Sequence, residues 1–463
     1  MDSPPAQTGS SAQLRGNPFS RWLVRTGIYY GWTMTLVAFV CGLWSIGFIF
    51  YTYGIFREPI RHDLGWNVST LTAAYAGYTI LMAIWGPAAA RLTERYGSRQ
   101  IVLAGTFILP VAMVGISFAR TEFQFFIAFS VLASLGTAFL GMIPNYAALN
   151  QWFTANKAQS FSWASAGISS AGMTLVPFTQ YLLNHYGWRE AYRINAALLV
   201  ITVLPLVLLT FYDRPSDLGV PEETPPPADP DAEPDRLMEF REIAFDKRFI
   251  LSVLSLSLAS ACWSVILQSF VSDLSTRDTG YRWTQGDAAT LYTCMAVLCA
   301  IGKPIFGALG DRMERRRAII FAVSMQVAGF VLITVTRWAT LVPFSFLGVP
   351  VDLLLVSGVL LYGLGVGGTL PLFSALHADQ FGRLSFPRVS GLATPFNVAI
   401  ISVMYLVTGA MYDRYLSYLP QGWLMLAAYA VSIGAILILL IRVKRPRNPR
   451  RTFETPLERA EPV

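Results

Sequence analysis

The sequence predicts an all-α membrane protein in which twelve transmembrane helices form two pseudo-symmetric six-helix bundles. Composition, long apolar windows and a repeated pair of landmarks lead to this prediction. Hydrophobic residues make up 54% of the 463 residues and charged residues only 14%, against about 25% charged in ordinary soluble domains. A soluble fold of this length could not cover so much apolar surface, so we expect a lipid bilayer as its solvent.

Apolar windows recur along the whole chain, each long enough to cross a hydrocarbon core of about 30 Å at a rise of about 1.5 Å per residue. Their length and the lack of a two-residue alternation favour helices over strands. The windows cover residues 29–56, 70–90, 100–119, 123–148, 160–183, 191–211, 249–271, 286–309, 317–336, 351–376, 389–411 and 422–441.

The distribution of Lys and Arg predicts the orientation. With a cytoplasmic N-terminus, the inner segments carry 25 of these residues and the outer segments 9, which is the expected cytoplasmic excess. We therefore predict a multi-pass protein of the cell inner (plasma) membrane with cytoplasmic tails at 1–28 and 442–463. The net charge is +7, and the basic residues lie in short clusters between apolar windows. We therefore expect no nucleic-acid partner.

The longest polar interruption, 212–247, is rich in proline and acidic residues, and such a composition predicts a flexible cytoplasmic linker. It separates an N-terminal bundle, 29–211, from a C-terminal bundle, 248–441. The two halves repeat. The segment 65–69 precedes the second helix and 280–284 the eighth, with Ser69 and Thr284 at expected N-caps. Charged segments follow both helices at nearly the same offset, which indicates a six-helix duplication.

These charged segments carry a family resemblance. Gly307-Ala308-Leu309-Gly310-Asp311-Arg312 resembles the loop signature G-x-L-x-D-R-x-G-R-R of the major facilitator superfamily. In the N-terminal copy Arg95, Gly97 and Arg99 fit, while Ala90 and Glu94 replace a glycine and an aspartate. An acid at the membrane face can cap a neighbouring helix N-terminus. The resemblance implies a gating motif that holds one transport state, and its residues are Glu94, Arg95, Gly97, Arg99, Gly307, Asp311 and Arg312.

Further segments resemble the bacterial branch of the monocarboxylate transporter family, related to oxalate/formate antiporters. They are 29–32, 54–59, 64–66, 152–153, 185–189 and 213–219. The resemblance implies transport of organic anions.

Lys303 is the one ionisable residue well inside an apolar window, about 12 Å along the helix from Asp311. A charge there costs about 2.5–3.5 kcal/mol on insertion. In the resembling family an arginine immediately before a proline binds the substrate carboxylate, and Lys303-Pro304 matches that place. The alternative is a lysine that extends toward the cytoplasmic face with its stem packed against neighbours.

Polar side chains in other windows are candidates to complete a substrate site. They are Tyr51, Tyr53, Asn145, Tyr146, Gln268, Tyr362 and Asn397. Some family members carry a lysine where Tyr51 stands and an acid where Cys299 stands. Without an intramembrane carboxylate, either the substrate or Lys303 takes the proton in symport, or the cation crosses readily only with an anion bound, which favours exchange.

We expect a secondary transporter of a small organic anion, a monocarboxylate, that works by alternating access with proton symport. The alternatives are an anion exchanger, a drug/proton exporter of the same fold, and a membrane sensor that transports nothing. Enzymatic activity, a cofactor and a metal site are not expected, since His62, His185 and His377 are scattered and no phosphate loop occurs. The oligomeric state stays open.

Overall fold

The computed structural model describes residues 15–154, 156–220, 236–276, 285–336, 343–346, 349–415 and 417–442. The first half begins with α1 (Pro18–Arg25), a short helix before the first crossing. That crossing consists of α2 (Gly31–Gly42), a π-helical segment Leu43–Gly47 and α3 (Phe48–Leu64). Next come α4 (Val68–Tyr96) and α5 (Ser98–Phe118).

The fourth crossing is divided into α6 (Glu122–Phe126), a π-helical segment Ile127–Ala133, α7 (Ser134–Leu140) and α8 (Met142–Trp152). One long element, α9 (Lys157–Thr210), then supplies two crossings, because its backbone turns at Gly187 with φ of 77°. Glycine tolerates this left-handed conformation, since it has no Cβ to clash with the backbone.

The second half starts after the short helices α10 (Pro215–Leu218) and α11 (Phe240–Phe245). It contains α12 (Lys247–Thr276), α13 (Gln285–Arg312) and α14 (Arg315–Val335). Two more crossings come from α15 (Leu353–Tyr415), which turns at Gly382 with φ of 74°, and the last from α16 (Leu419–Arg442).

Among the described residues, nine helical stretches are long and apolar enough to cross a membrane, and two of them are of double length. With α4, which has 29 residues, the described part of the chain contains twelve crossings. The predicted all-α membrane fold is confirmed.

The two largest apolar cores follow the two halves of the chain. One core is built from residues between Tyr30 and Leu218, joined by Ala375, Ala378 and Phe386 of α15. The other is built from residues between Leu256 and Ile436.

Three local features differ from the sequence prediction. A two-stranded hairpin, β1 (Pro343–Phe346) and β2 (Val349–Asp352), lies between α14 and α15, and its second strand overlaps the start of the window 351–376, for which a helix is predicted. Asn67, rather than Ser69, occupies the N-cap position of α4. Thr284, the corresponding N-cap prediction in the second half, lies outside the described residues.

The third difference concerns the linker, whose two ends are folded. Leu218, Met238 and Ile243 are buried, and the Met238 amide donates to Ser385 Oγ over 2.9 Å. Burial of these apolar side chains explains why α10 and α11 pack against the bundles. We call the side of the molecule that carries α1, α10 and α11 the linker face.

Candidate functional site

Lys303 lies between the two halves of the molecule. It belongs to α13, its side chain is 6% exposed, and its ammonium donates to the Ser165 carbonyl over 2.6 Å and to Ser169 Oγ over 2.8 Å. Both acceptors belong to α9 in the first half. An ammonium group has three donors, so one donor remains for a further partner. In this structure the side chain points to the opposite bundle and does not extend to the linker face.

Close helix packing holds the backbone around Lys303 in place. A Cβ at Gly302 would overlap the Leu364 carbonyl, and one at Gly367 would overlap the Cys299 carbonyl. Small residues therefore let α13 and α15 approach until their backbones touch, as is common between membrane helices. Lys303 thus stands on a tightly packed helix pair, which limits where its ammonium group can lie.

A central cavity of about 230 Å³ opens beside Lys303. Most of its wall is apolar, from residues such as Ile46, Phe50, Trp263 and Ile401. Among the residues described around it, Lys303 is the only charged one. The wall also carries uncharged polar groups between the apolar side chains, as is typical of ligand sites. They come from Tyr51, Ser169, Ser260, Ser264, Tyr292, Cys299, Thr369, Tyr362 and Asn397.

Besides Lys303, three of the predicted site residues line this central cavity. Tyr51 packs over Gly172 and faces Ser169. Tyr362 lies 3.1 Å from Tyr429, hydroxyl to hydroxyl. The Oδ1 atom of Asn397 is buried and has no hydrogen-bond partner in the described structure. A buried acceptor without a partner is costly, so this oxygen is suited to accept from a bound solute.

Other predicted residues lie elsewhere. Tyr53 packs with tilted rings against Tyr75 and Phe129. Asn145 donates to the carbonyls of Leu140 and Gly141 over 2.9 and 2.7 Å, which satisfies the backbone where α7 gives way to α8. The side chain of Gln268 lies outside the described residues. Neither Tyr53 nor Asn145 is among the residues that line the central cavity.

A second cavity, of about 160 Å³, shares Ile46, Leu370 and Asn397 with the central one. The predicted residue Tyr146 lines it, with its hydroxyl donating to the Phe161 carbonyl over 3.2 Å. His377 also lines it and lies 2.9 Å from Ser252 Oγ through Nε2. The three shared residues therefore separate two small chambers between the bundles.

Sequence reasoning missed several residues of the central cavity, among them Ser169, Trp263, Tyr292 and Thr369. Thr369 belongs to a buried polar network, since Gln326 Nε2 donates to it over 2.6 Å and Gln326 Oε1 accepts from Tyr429. A polar residue in an apolar window was a signal for Gln326 and Thr369. Trp263 gave none, because aromatic residues occur throughout the windows.

The C-terminal motif joins the two bundles at the linker face. Asp311 is buried and accepts from the backbone amides of Ala158 over 3.0 Å and Gln159 over 2.8 Å. These amides belong to the first turn of α9, where amides lack helical partners and the helix dipole favours negative charge. Gly307 packs on Ala158, since a Cβ added at Gly307 would lie 3.0 Å from the Ala158 carbonyl oxygen. Arg312 is exposed.

The N-terminal motif joins the bundles differently. Glu94 accepts from Arg388 Nε at 2.8 and 2.9 Å, so it forms an ion pair with α15 rather than capping a helix. Gly97 has φ of 88°, and the amide of Arg99 donates to Asp213 Oδ1 over 2.8 Å. Burial raises the pKa of Asp213, and the hydrogen bond from Arg99 opposes that shift. Arg95 is exposed, over the ring of Tyr96.

Further contacts close the linker face. Lys157 lies 3.7 Å from Asp379, which also pairs with Arg315. Arg383 donates to Thr154 Oγ1 over 2.6 Å. Gly391 of α15 also packs on Gly86 of α4, since a Cβ added at Gly391 would lie 2.8 Å from the Gly86 carbonyl oxygen. The described structure is thus a state in which the bundles are joined at the linker face.

Two helical bundles around a central cavity, with one charged residue in its wall, define a membrane transporter. Matches to the family described as Major Facilitator Superfamily cover residues 22–397 and 278–461, and the chain belongs to this family.

Several relatives carry related names. Monocarboxylate transporter 4 of Mus musculus is 26% identical over 312 residues, and the match spans 66% of this chain and 63% of the mouse protein. Monocarboxylate transporter 2 of Rattus norvegicus is 22% identical, with 91% of this chain and 86% of the rat protein covered. The MFS-type transporter pynF of Aspergillus niger is 24% identical, with 87% and 86% covered.

Solved structures share the fold. The E. coli fucose:proton symporter matches with a TM-score of 0.67 at 13% identity, and 89% of this chain and 99% of that chain are covered. The proton:xylose symporter XylE matches with a TM-score of 0.65 at 14% identity, with 90% and 97% covered. The family and these relatives are transporters.

Proposed function

We propose that this chain transports small organic anions, monocarboxylates in particular, by alternating access, with Lys303 as the anion-binding residue. The observation that supports this most directly is the isolated positive charge of Lys303 in the wall of the central cavity. A buried ammonium group is costly without a negative partner. Its present acceptors, a carbonyl and a hydroxyl of α9, carry no formal charge.

A carboxylate fits this cavity in size and chemistry. Ligand pockets for drug-sized molecules are about 300–1,000 Å³, and the central cavity has about 230 Å³. A carboxylate beside Lys303 would lie against Ser169 and Tyr51, whose hydroxyls are donors, while the apolar wall would take a short carbon chain. The buried Oδ1 of Asn397 would accept from a hydroxyl or from a protonated acid.

We infer that the substrate crosses together with a proton. Neither Asp nor Glu is among the residues that line the central cavity, so the proton would travel on the substrate or on Lys303. The same feature supports a second candidate, anion exchange, because an unneutralised Lys303 resists reorientation through an apolar region. A drug/proton exporter is less well supported, since its cationic substrates would meet Lys303 in a small cavity.

The chain is proposed to lie in the plasma membrane with both termini in the cytoplasm, and the linker face would then be the cytoplasmic face. The excess of Lys and Arg in the segments on this side supports the orientation.

Uptake into proteoliposomes tests the proposal. Labelled lactate, pyruvate and oxalate are offered to the wild type, to Lys303→Gln and to Lys303→Arg, with Lys247→Gln, an exposed residue at the start of α12, as the matched control. Loss of a hydrogen bond to a charged group costs about 1.5–3 kcal/mol, so we expect Lys303→Gln to lose about tenfold to a hundredfold in kcat/KM. Unchanged uptake by Lys303→Gln would reject the anion-binding role.

The driving force separates the two mechanisms. In symport, an inward proton gradient accumulates the label in vesicles that hold no substrate, and a protonophore abolishes the accumulation. In exchange, uptake requires unlabelled substrate inside and is insensitive to the protonophore.

A further inference from the structure

A large cleft rich in arginine opens at the linker face, away from the central cavity. Its volume is about 650 Å³, and we call it the arginine cleft. Its charged residues are four arginines and two glutamates, and Leu237 and Phe240 complete its wall. The four arginines are Arg91, Arg95, Arg241 and Arg388.

The arginines come from three elements that belong to different parts of the molecule. Arg91 and Arg95 are one turn apart on α4, Arg241 is on α11, and Arg388 is on α15. Arg91 Cζ lies 4.5 Å and Arg388 Cζ 5.3 Å from the centroid of the Phe240 ring. The two guanidinium groups can therefore be no further apart than the sum of these distances, and the ring of the linker helix holds them together.

The positive charge of this cleft is only partly neutralised. Glu94 pairs with Arg388, which also donates to the Met238 carbonyl over 2.8 Å. Arg91, Arg95 and Arg241 are exposed, and no ion pair is found for them among the described residues, although the charge of Arg91 also acts on Glu94. Glu239 is the one further acid in the wall. Like charges one helical turn apart repel each other, so a bound anion would relieve the repulsion between Arg91 and Arg95.

We propose that the arginine cleft binds a phosphate-bearing anion, either a soluble phosphate compound or the headgroup of an anionic lipid. Guanidinium groups bind phosphate oxygens with two parallel hydrogen bonds, and several arginines can bind one phosphate from different sides. The cleft is nearly three times as large as the central cavity, so it suits a larger ligand than a monocarboxylate.

Binding would favour one transport state. A ligand held by Arg91 and Arg241 joins α4 of the first half to the linker, and the linker is already bonded to α15 through Met238 and Arg388. It would therefore stabilise the state in which the bundles are joined at the linker face. A ligand shifts such an equilibrium only through its difference in affinity for the two states. This inference does not depend on which solute the central cavity carries.

The test compares two double variants that each remove two positive charges. Arg91→Gln/Arg241→Gln alters the cleft, and Arg25→Gln/Lys247→Gln removes exposed charges outside its wall. In one arm, isothermal titration calorimetry measures pyrophosphate binding to protein in phosphatidylcholine nanodiscs. In the other arm, native mass spectrometry counts the phosphatidylglycerol molecules retained from mixed nanodiscs.

We expect the cleft variant to weaken pyrophosphate binding about tenfold or more, or to retain less phosphatidylglycerol, while the control behaves as the wild type. An effect in the first arm alone assigns a soluble ligand, and one in the second arm alone assigns a lipid headgroup. Equal behaviour of the two double variants in both arms would overturn the site. If the double Gln variant fails to fold, the single variants Arg91→Gln and Arg241→Gln are compared with Arg25→Gln and Lys247→Gln, and wild-type binding by both cleft variants in both arms would also reject the assignment.

Discussion

Replacing Asp311 by Asn tests whether its carboxylate holds the linker face closed. The carboxylate accepts two backbone amides of α9 at 3.0 and 2.8 Å, and it is 5% exposed. Hydrogen bonds to a charged group contribute about 1.5–3 kcal/mol, against about 0.5–1.5 kcal/mol for neutral ones. Asn keeps the shape of the side chain and one acceptor oxygen. We therefore expect Asp311→Asn to reduce the free energy that favours the closed linker face by about 2 kcal/mol. Such a loss corresponds to a roughly 30-fold change in the ratio of closed to open molecules.

Distance measurements by double electron–electron resonance spectroscopy detect this change. Nitroxide labels at Tyr96→Cys on α4 and Arg317→Cys on α14, both exposed at the linker face, report the separation of the bundles in a background without the four native cysteines. We expect a single short distance in the parent and a large population at longer distance in Asp311→Asn. Melting temperatures of both proteins check that the variant is folded.

The pseudo-equivalent acid provides the matched control. Glu94 pairs with Arg388 at 2.8 Å, and both side chains keep some exposure, 16% and 19%. Arg388 also retains its bond to the Met238 carbonyl when the pair is broken. We therefore expect Glu94→Gln to reduce the free energy that favours the closed linker face by only about 1 kcal/mol. This is the upper end of the contribution that exposed ion pairs make to stability. An unchanged distance in Asp311→Asn, or a larger shift in Glu94→Gln, would refute the reasoning.

Three further predictions concern stability. Gly302→Ala places a methyl group against the Leu364 carbonyl. It should lower the free energy of unfolding by about 1–3 kcal/mol and with it the melting temperature. Gly434→Ala, which has open space around the new Cβ, should leave the melting temperature unchanged. Tyr362→Phe removes a buried hydroxyl contact with Tyr429 and should lower the melting temperature by about 2 °C. Hydrogen bonds from Arg189 and Trp188 lower the pKa of Asp63, so its contribution is present above the unfolded pKa and is lost as pH falls. Asp63→Asn should therefore lower the melting temperature at neutral pH and flatten its decline toward acid pH.

Each of these stability predictions has a result that contradicts it. Equal melting temperatures of the two glycine variants would show that α13 and α15 are not in backbone contact at Gly302. An unchanged Tyr362→Phe protein would mean that the hydroxyl contact is replaced by another partner of Tyr429. A parallel pH profile of Asp63→Asn and wild type would show that the ion pair of Asp63 with Arg189 does not form in solution.

The sequence was sufficient for features that depend on local composition. Twelve apolar windows predicted the crossings because the transfer of about twenty apolar residues into lipid is favourable wherever they stand in the chain. The windows did not predict the π-helical segments or the break at Gly141, since these depend on how neighbouring helices crowd one another. The folded ends of the linker were also missed, because Met238 and Ile243 gain stability only from the surface on which they pack.

For the site, sequence reasoning found Lys303 because an ammonium group inside an apolar window is costly and therefore conspicuous. It could not separate Tyr51, Tyr362 and Asn397, which line the central cavity, from Tyr53 and Asn145, which do not. All five are polar residues in similar windows. The contact of Asp311 with the first turn of α9 joins residues more than 150 positions apart, and the sequence predicted only the kind of contact.

The sequence by itself determined the all-α membrane fold with twelve helices, and it predicted that the two halves are repeats and that one positive charge lies within an apolar window. These properties follow from transfer free energies and from patterns along the chain. Only the tertiary structure decided which side chains surround Lys303, that its ammonium bonds to α9, and which acid caps a helix. Such contacts depend on the faces that helices turn toward one another, and the rotation of one helix against the next is set by packing between distant segments.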